Sequence, residues 1–257
     1  MALLVMGDIR ASQGELRRAR DVLLPVASGA VAASSEARYQ AMWLMARVYH
    51  ALDWRRTAYR AYREIETVCP TLRDLTLCQL EQIGLLMELA RSGSGRLVEC
   101  RLASDIFIEE HSSLASEDSQ VRQRCATAAL MAAESWFWEG QCERCIEETS
   151  RVAVLYEDIT REWAVAMTFK GFALARLGRH LEAITVFHEV CDHPWNSETD
   201  DFPNYHQQAI AASALVRSLE ATGQSEAAVN WRNTILERWP DSRTARQLMT
   251  NALEGVR

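Results

Sequence analysis

The sequence contains very little lysine, no long apolar run and no excess of basic residues. Lys170 is the only lysine among 28 lysine and arginine residues, so arginine carries nearly all of the positive charge. The formal net charge is −7 over 257 residues, whereas general nucleic-acid binders hold phosphate with an excess of Lys and Arg. No apolar run approaches the roughly 20 residues of a membrane-spanning helix. We therefore expect neither a nucleic-acid partner nor membrane insertion.

Regularly paired cysteines are also absent. The chain has seven cysteines, and only Cys142 and Cys145 are closely spaced. Disulfide frameworks of secreted domains use even numbers of cysteines, so reduced thiols and a cytoplasmic location are expected. The first ten residues lack the basic segment of a signal peptide and begin inside an amphipathic pattern. That start leaves two alternatives, a domain of a longer protein or a native start with a short first helix.

Motifs for catalysis and phosphate binding are missing. Neither HExxH nor Gly-x-Ser-x-Gly occurs. The glycine-rich stretch 92–95 (SGSG) follows no strand pattern and precedes no Lys-Ser/Thr, so it predicts a hairpin turn and not a phosphate loop. We expect a protein that is not an enzyme and that needs no cofactor or metal.

The strongest positive signal is a helical hairpin over residues 162–191. Gly171 lies on the apolar stripe of the first predicted helix, and Gly178 predicts its end. Ala183 and Phe187 continue the pattern in a second helix. Small side chains at Gly171 and Ala183 would let the two helices approach, and Phe187 would fill the space beside them.

The same spacing recurs along the chain, as at Ala46, Asp53 and Ala58. Six hairpins and a C-terminal cap are predicted within one domain, over residues 1–30, 36–70, 73–111, 118–157, 161–193, 204–240 and 241–257. A small residue, a turn, an alanine and a closing proline (Pro70, Pro240) resemble the signature of the tetratricopeptide repeat (TPR) family. The repeats recur every 38–49 residues, against about 34 in that family, so they are atypical. The resemblance implies an all-α fold, a right-handed α-solenoid of about six antiparallel helical hairpins.

The resemblance also implies a concave groove, lined by the first helix of each hairpin, that binds a peptide or helix of another protein. Carried over by position, the groove residues are Trp43, Arg47, His50, Glu81, Glu88, Glu134, Phe137, Phe172, Arg176 and Arg217. Aromatic residues and arginine are favoured at binding hot spots. The alternative for the aromatic members is that they belong to the core or to a solvated face. The family's clamp for chaperone tails is not reproduced, because Trp43, Arg47, Glu81 and Leu85 replace its Lys, Arg and Asn.

Two connections look longer than the repeats need, 109–120 and 192–205. The second has two prolines, which argue against helix, and mixes acidic with aromatic residues. Long loops in compact domains are often functional, so we predict a partner-contacting loop, with a mobile insertion as the alternative. Its candidate residues are Trp195, Asp200, Asp201, Phe202 and Tyr205.

The pair Cys142 and Cys145 could form a redox dithiol or half of a zinc site. No second CxxC accompanies it, and Cys145 lies where the repeat places a small buried residue, so a structural role is favoured. A metal set of Cys191, Asp192, His193 and His206 is a weaker alternative.

The sequence thus predicts a bacterial, cytoplasmic, non-catalytic scaffold or adaptor. Two alternatives stay open, a periplasmic scaffold of envelope or polysaccharide assembly and a thiol-redox or metal-dependent regulator that uses Cys142 and Cys145. A further alternative is that the partner is a second copy of the chain, bound through the ends of the solenoid.

Overall fold

The computed structural model describes residues 2–193, 203–240 and 242–243, with the backbone alone at 203–206. Within these ranges the regular structure is twelve α-helices, and no strand occurs. The helices are α1 (Ala2–Ser12), α2 (Leu16–Ala27), α3 (Ser35–Ala51), α4 (Arg55–Glu66), α5 (Leu72–Arg91), α6 (Leu97–Ala115), α7 (Ser119–Trp138), α8 (Cys142–Leu155), α9 (Thr160–Arg176), α10 (His180–Asp192), α11 (Pro203–Ala221) and α12 (Ser225–Arg238). No described helix is long and apolar enough to cross a bilayer.

Helices that follow one another in the chain pack together as hairpins. Contacts join α1 to α2, α3 to α4, α5 to α6, α9 to α10 and α11 to α12, and further contacts join each of several hairpins to the next. First helices of successive hairpins also touch, at α1 with α3 and at α9 with α11. The predicted all-α, TPR-like solenoid class is therefore confirmed.

The chain divides into two compact units, residues 1–131 and 132–257. The division falls within α7. Each unit is described by itself below, and the predicted single-domain organisation stays a prediction.

The hairpin turns use a residue in the left-handed region. At the turn after α9, Gly178 has φ 77°, and the amide of Arg179 donates to the carbonyl of Leu174 over 2.9 Å. Glycine supplies this conformation without steric cost, and the hydrogen bond satisfies a carbonyl at the helix end. Asp53 has φ 64° at the corresponding turn after α3. The turns with a left-handed residue are those at Gly14, Asp53, Gly93, Gly140, Gly178 and Gly223.

The core of the first unit is built from small residues of one helix against large residues of the next. A Cβ added to Gly7 would lie 2.5 Å from Cγ of Leu23, so only glycine lets α1 and α2 approach this closely. The next hairpin buries Ala46 of α3 and Ala58 and Tyr62 of α4. Burial of these apolar side chains is the main favourable term for holding the helices together.

The second unit contains the predicted hairpin of residues 162–191. Phe187 of α10 is fully buried, and it fills the space above Gly171 of α9. A hydrogen bond joins α11 of the next hairpin to α10. The side-chain amide nitrogen of Gln208 donates to the carbonyl of Cys191 over 3.2 Å. The sequence therefore predicted both the hairpin and its packing pair correctly.

Two predicted connections differ in the structure. The first is only residues 116–118, because α6 continues to Ala115 and Asp118 caps α7 by accepting from the amides of Gln120 and Val121 over 2.8 and 3.2 Å. Exposed polar residues such as Glu109, Glu110 and Ser112, predicted as loop, thus form the solvent side of a helix, whereas His111 between them is buried. The second connection ends at Pro203, which begins α11, a position where proline loses no helical hydrogen bond.

Candidate partner-binding faces

The first unit has an open groove of about 440 Å³ on the first helices of its hairpins. We call it the N-terminal groove. Its lining residues come from α1, α3 and α5, and they are Leu4, Val5, Asp8, Tyr39, Gln40, Trp43, Leu44, Asp74 and Leu77. The volume falls in the range of protein ligand pockets, and the wall is largely aliphatic and aromatic.

Trp43, the first predicted groove residue, contributes to the core and to the groove. Its ring packs edge-on against the buried Tyr62 with centroids 5.4 Å apart, and Tyr39 lies 6.4 Å away. The indole also lines the N-terminal groove. Part of the side chain thus belongs to the core, and its role in partner binding stays a prediction.

The predicted residues His50 and Glu88 meet between α3 and α5. His50 Nε2 lies 3.0 Å from Glu88 Oε2, and Arg55 Nε donates to the same oxygen over 3.0 Å. Arg55 also pairs with Asp53 at 2.6 Å. Sequence reasoning missed Arg55 because it begins α4, a second helix of a hairpin, which was not expected to reach this face.

Glu81 lies close to the same charged group. Burial raises the pKa of its carboxyl above the ordinary value of 4.5, while the charges of His50 and Arg47 lower it and that of Glu88 raises it. Arg47 itself is exposed. The structure thus brings four predicted residues of α3 and α5 together as a face of mixed charge.

In the second unit the predicted aromatic residues form a packed cluster. Phe137 lies 5.6 Å from Phe169 and 6.2 Å from Phe172, and Phe172 lies 5.8 Å from the buried Phe187 between ring centroids. Phe137 and Phe172 are therefore half-buried extensions of the core. Their contribution to binding stays a prediction.

Arginine and glutamate side chains border this aromatic cluster. The guanidinium of Arg176 lies 5.5 Å from the centroid of the Phe137 ring and donates to the Phe137 carbonyl over 3.1 Å. Glu134 accepts a hydrogen bond from Trp138 Nε1 over 2.7 Å. Arg217 is exposed on α11. Arg176 is thus held in place, whereas Arg217 is open to solvent.

All seven cysteines are free thiols, and six of them are buried, whereas Cys69 is half-buried. Cys142 and Cys145 are buried beside Ala173, and burial raises the pKa of Cys145 to about 12. Burial likewise raises the pKa of Cys191 to about 12. Among the described residues, no group of three His, Cys, Asp or Glu side chains is arranged to hold a metal ion. Burial therefore makes Cys145 and Cys191 poor nucleophiles in the folded protein.

The predicted partner-contacting loop falls outside the described residues. This applies to Trp195, Asp200, Asp201 and Phe202, and to the side chain of Tyr205 at the start of α11. The loop stays a prediction.

Comparison with solved structures identifies the fold. The fold is that of the TPR-like helical-repeat proteins. BtubC (BKLC) from P. vanneervenii aligns with a TM-score of 0.62 and 14% identity over 93% of this chain and 91% of that chain. A tetratricopeptide repeat protein from Parabacteroides merdae ATCC 43184 aligns with a TM-score of 0.56 and 13% identity over 96% of this chain and 82% of that chain.

Sequence comparison gives no closer relationship. No protein-family model matches the sequence, and no curated protein matches it. At such low identity the structural similarity establishes the fold alone.

Proposed function

We propose that the protein is a non-catalytic scaffold or adaptor that binds a peptide or helical segment of another protein on the first-helix faces of its hairpins. The observation that carries this proposal is the N-terminal groove, about 440 Å³ in volume and lined from three first helices. An amphipathic segment laid in an apolar groove is a common mode of peptide recognition.

The surroundings of the groove suit such a partner. Trp43 is fixed by its contact with Tyr62, and Glu88 is fixed by His50 and Arg55. Side chains that are already ordered lose little conformational entropy on binding, so more of the contact energy appears as affinity.

We also propose that the protein acts in a bacterial cytoplasm. All seven cysteines are free thiols, and six of them are buried. Buried thiols without disulfide partners are typical of reducing compartments. The raised pKa of Cys145 weighs against the alternative of a thiol-dependent regulator.

Site-specific photo-crosslinking in cells tests the proposal. A benzophenone amino acid in place of Arg47, which is exposed on α3 beside Glu81, should capture a defined partner protein. The matched control is the same substitution at Arg60, which is exposed on the second helix α4. The same products from both sites, or none from Arg47, would contradict binding on the first-helix face.

A further inference from the structure

The walls of the N-terminal groove carry carboxylates and no cation. Its floor is aliphatic and aromatic, with Leu44 and Trp43 from α3 and Leu77 from α5. Asp8 lies on the α1 wall and Asp74 on the α5 wall. No Lys, Arg or His is among the described residues that line it.

Asp74 is held in place by its neighbours. The hydroxyl of Thr71 donates to Asp74 Oδ2 over 2.5 Å, and burial together with the charge of Asp74 raises the pKa of the nearby Tyr39 hydroxyl. The charge of Arg124 also acts on Asp74, although its guanidinium is bonded to the carbonyl of Arg73 and the hydroxyl of Thr76. Asp74 is therefore a positioned acceptor at one wall.

Asp8 has no such neighbours. It is exposed on α1 and makes no hydrogen bond or ion pair within the described part of the chain. Val5, one turn before it, is 53% exposed and also lines the groove. An uncompensated carboxylate thus stands beside an exposed aliphatic side chain at the mouth of an apolar groove.

We propose that the N-terminal groove binds a partner segment that carries an aliphatic or aromatic anchor next to a lysine or arginine. The anchor lies on Trp43, Leu44 and Leu77, and the cation pairs with Asp8 and reaches toward Asp74. This inference rests on the proposed function and defines the chemistry of the segment that is bound. The assignment follows from charge complementarity, because an acidic segment would meet two carboxylates on the groove walls and no cation among the described lining residues.

A phage-displayed library of random dodecapeptides, selected on the purified 257-residue chain, tests the inference. Enriched peptides should share an apolar residue within one helical turn of a Lys or Arg. The affinity of one synthesised peptide for each variant is then measured by fluorescence anisotropy. Its binding should weaken as the salt concentration rises, because the ion pair at the groove mouth is solvent-exposed.

Two substitutions at the groove separate charge from folding. Asp8→Asn should weaken the peptide about two- to five-fold, as expected for one exposed ion pair. Gln40→Lys should weaken it at least as much, since it adds a repulsive charge to the wall. Gln40 already contacts Glu36 at 2.7 Å, one helical turn away, so a lysine there has a partner in the free protein and leaves α3 intact. Asp105→Asn on α6 is the matched control, because it removes the same charge from an exposed site outside the groove.

Three other outcomes would contradict the inference, and each shows which part of it fails. Enriched peptides that are acidic, or that bind Gln40→Lys as tightly as the wild type, refute the cation requirement while leaving the scaffold function to the crosslinking test. A self-associated protein that Gln40→Lys dissociates in sedimentation assigns the groove to a second copy instead. A selection that enriches no peptide, together with no crosslinked partner at Arg47, refutes the inference and the proposed function alike.

Discussion

Gly171 of α9 faces Phe187 of α10 so closely that a Cβ at residue 171 would lie 2.7 Å from Cζ of the aromatic ring. Phe187 is completely buried, so its ring has no open space into which it can move. The absence of a side chain at one position and the bulk of the other thus form a single packing unit. The same relationship joins Gly7 and Leu23 in the first unit, with a separation of 2.5 Å to Leu23 Cγ.

Gly171→Ala should destabilise the protein even though alanine is the better helix former. Forcing an extra methyl group into a packed core costs about 1–3 kcal/mol, which exceeds the gain of about 1 kcal/mol in helix propensity. Thermal unfolding followed by circular dichroism should show a melting temperature several degrees lower than that of the wild type.

Gly84→Ala is the control for this prediction. Gly84 also lies inside a helix, α5, but its added Cβ would meet only Cε of Met131, at an ordinary 3.7 Å. The substitution there changes only the helix propensity, which is higher for alanine than for glycine, so the variant should be as stable as the wild type or more stable. A loss of stability of equal size in both variants would contradict the packing explanation for Gly171.

Glu81→Gln should stabilise the protein at neutral pH. Burial raises the pKa of Glu81 in the folded state, so the ionised carboxylate opposes folding once the pH exceeds the unfolded value of 4.5. Removing the charge removes that penalty, and the difference from the wild type should vanish below about pH 4. Urea unfolding across this pH range measures it.

Glu88→Gln provides the comparison on the same helix. Glu88 accepts hydrogen bonds from His50 and Arg55, so neutralising it weakens the ion pair with Arg55 and should lower stability at neutral pH. We expect Glu81→Gln to raise the free energy of unfolding and Glu88→Gln to lower it. Changes of the same sign in the two variants would contradict this prediction.

His111 should make stability depend on pH near neutrality. Its ring is buried on α6, Nε2 is 2.8 Å from Gln79 Oε1, and burial lowers the pKa below the ordinary 6.5. The unfolded chain therefore binds a proton first, and stability falls as the pH drops through 6.5 toward the folded pKa. In the variant His111→Gln, this loss of stability at pH values below 6.5 should be absent. An imidazole pKa at or above 6.5 by NMR in the folded protein would contradict this prediction.

The buried thiols should resist alkylation in the native state. With its pKa raised to about 12, Cys145 has almost no thiolate at neutral pH, and Cys142 is buried beside it. Cys69 is only half-buried and should be the first cysteine labelled by iodoacetamide in a mass-spectrometric time course. Rapid native labelling of Cys145 would revive the thiol-dependent alternative.

The sequence predicted the hairpins well because their signals are local. A small residue, a left-handed turn and a second small residue recur at fixed offsets, so Gly171, Gly178 and Ala183 could be assigned without knowledge of distant contacts. Ser34 shows the same local character, because its hydroxyl caps α3 by accepting the amide of Ala37 over 3.2 Å.

The candidate site was harder to predict because it depends on which side chains meet. The sequence suggested that Trp43 and Phe172 face a partner, but it could not show that each also packs on an aromatic ring of the following helix, Tyr62 or Phe187. The contact of Arg55 with Glu88 emerged only from the packing of helices that are separated in the chain. Periodicity identifies the face of a helix, whereas the partners on that face depend on tertiary structure.

The hairpin contacts also govern how quickly the chain can fold. The contacting helices are neighbours in sequence or are separated by a single helix, as with α9 and α11. Short sequence separations keep the entropy cost of loop closure small, which favours fast folding. A hairpin such as α9 and α10 can therefore form soon after its residues leave the ribosome, before the distant parts of the chain have been synthesised.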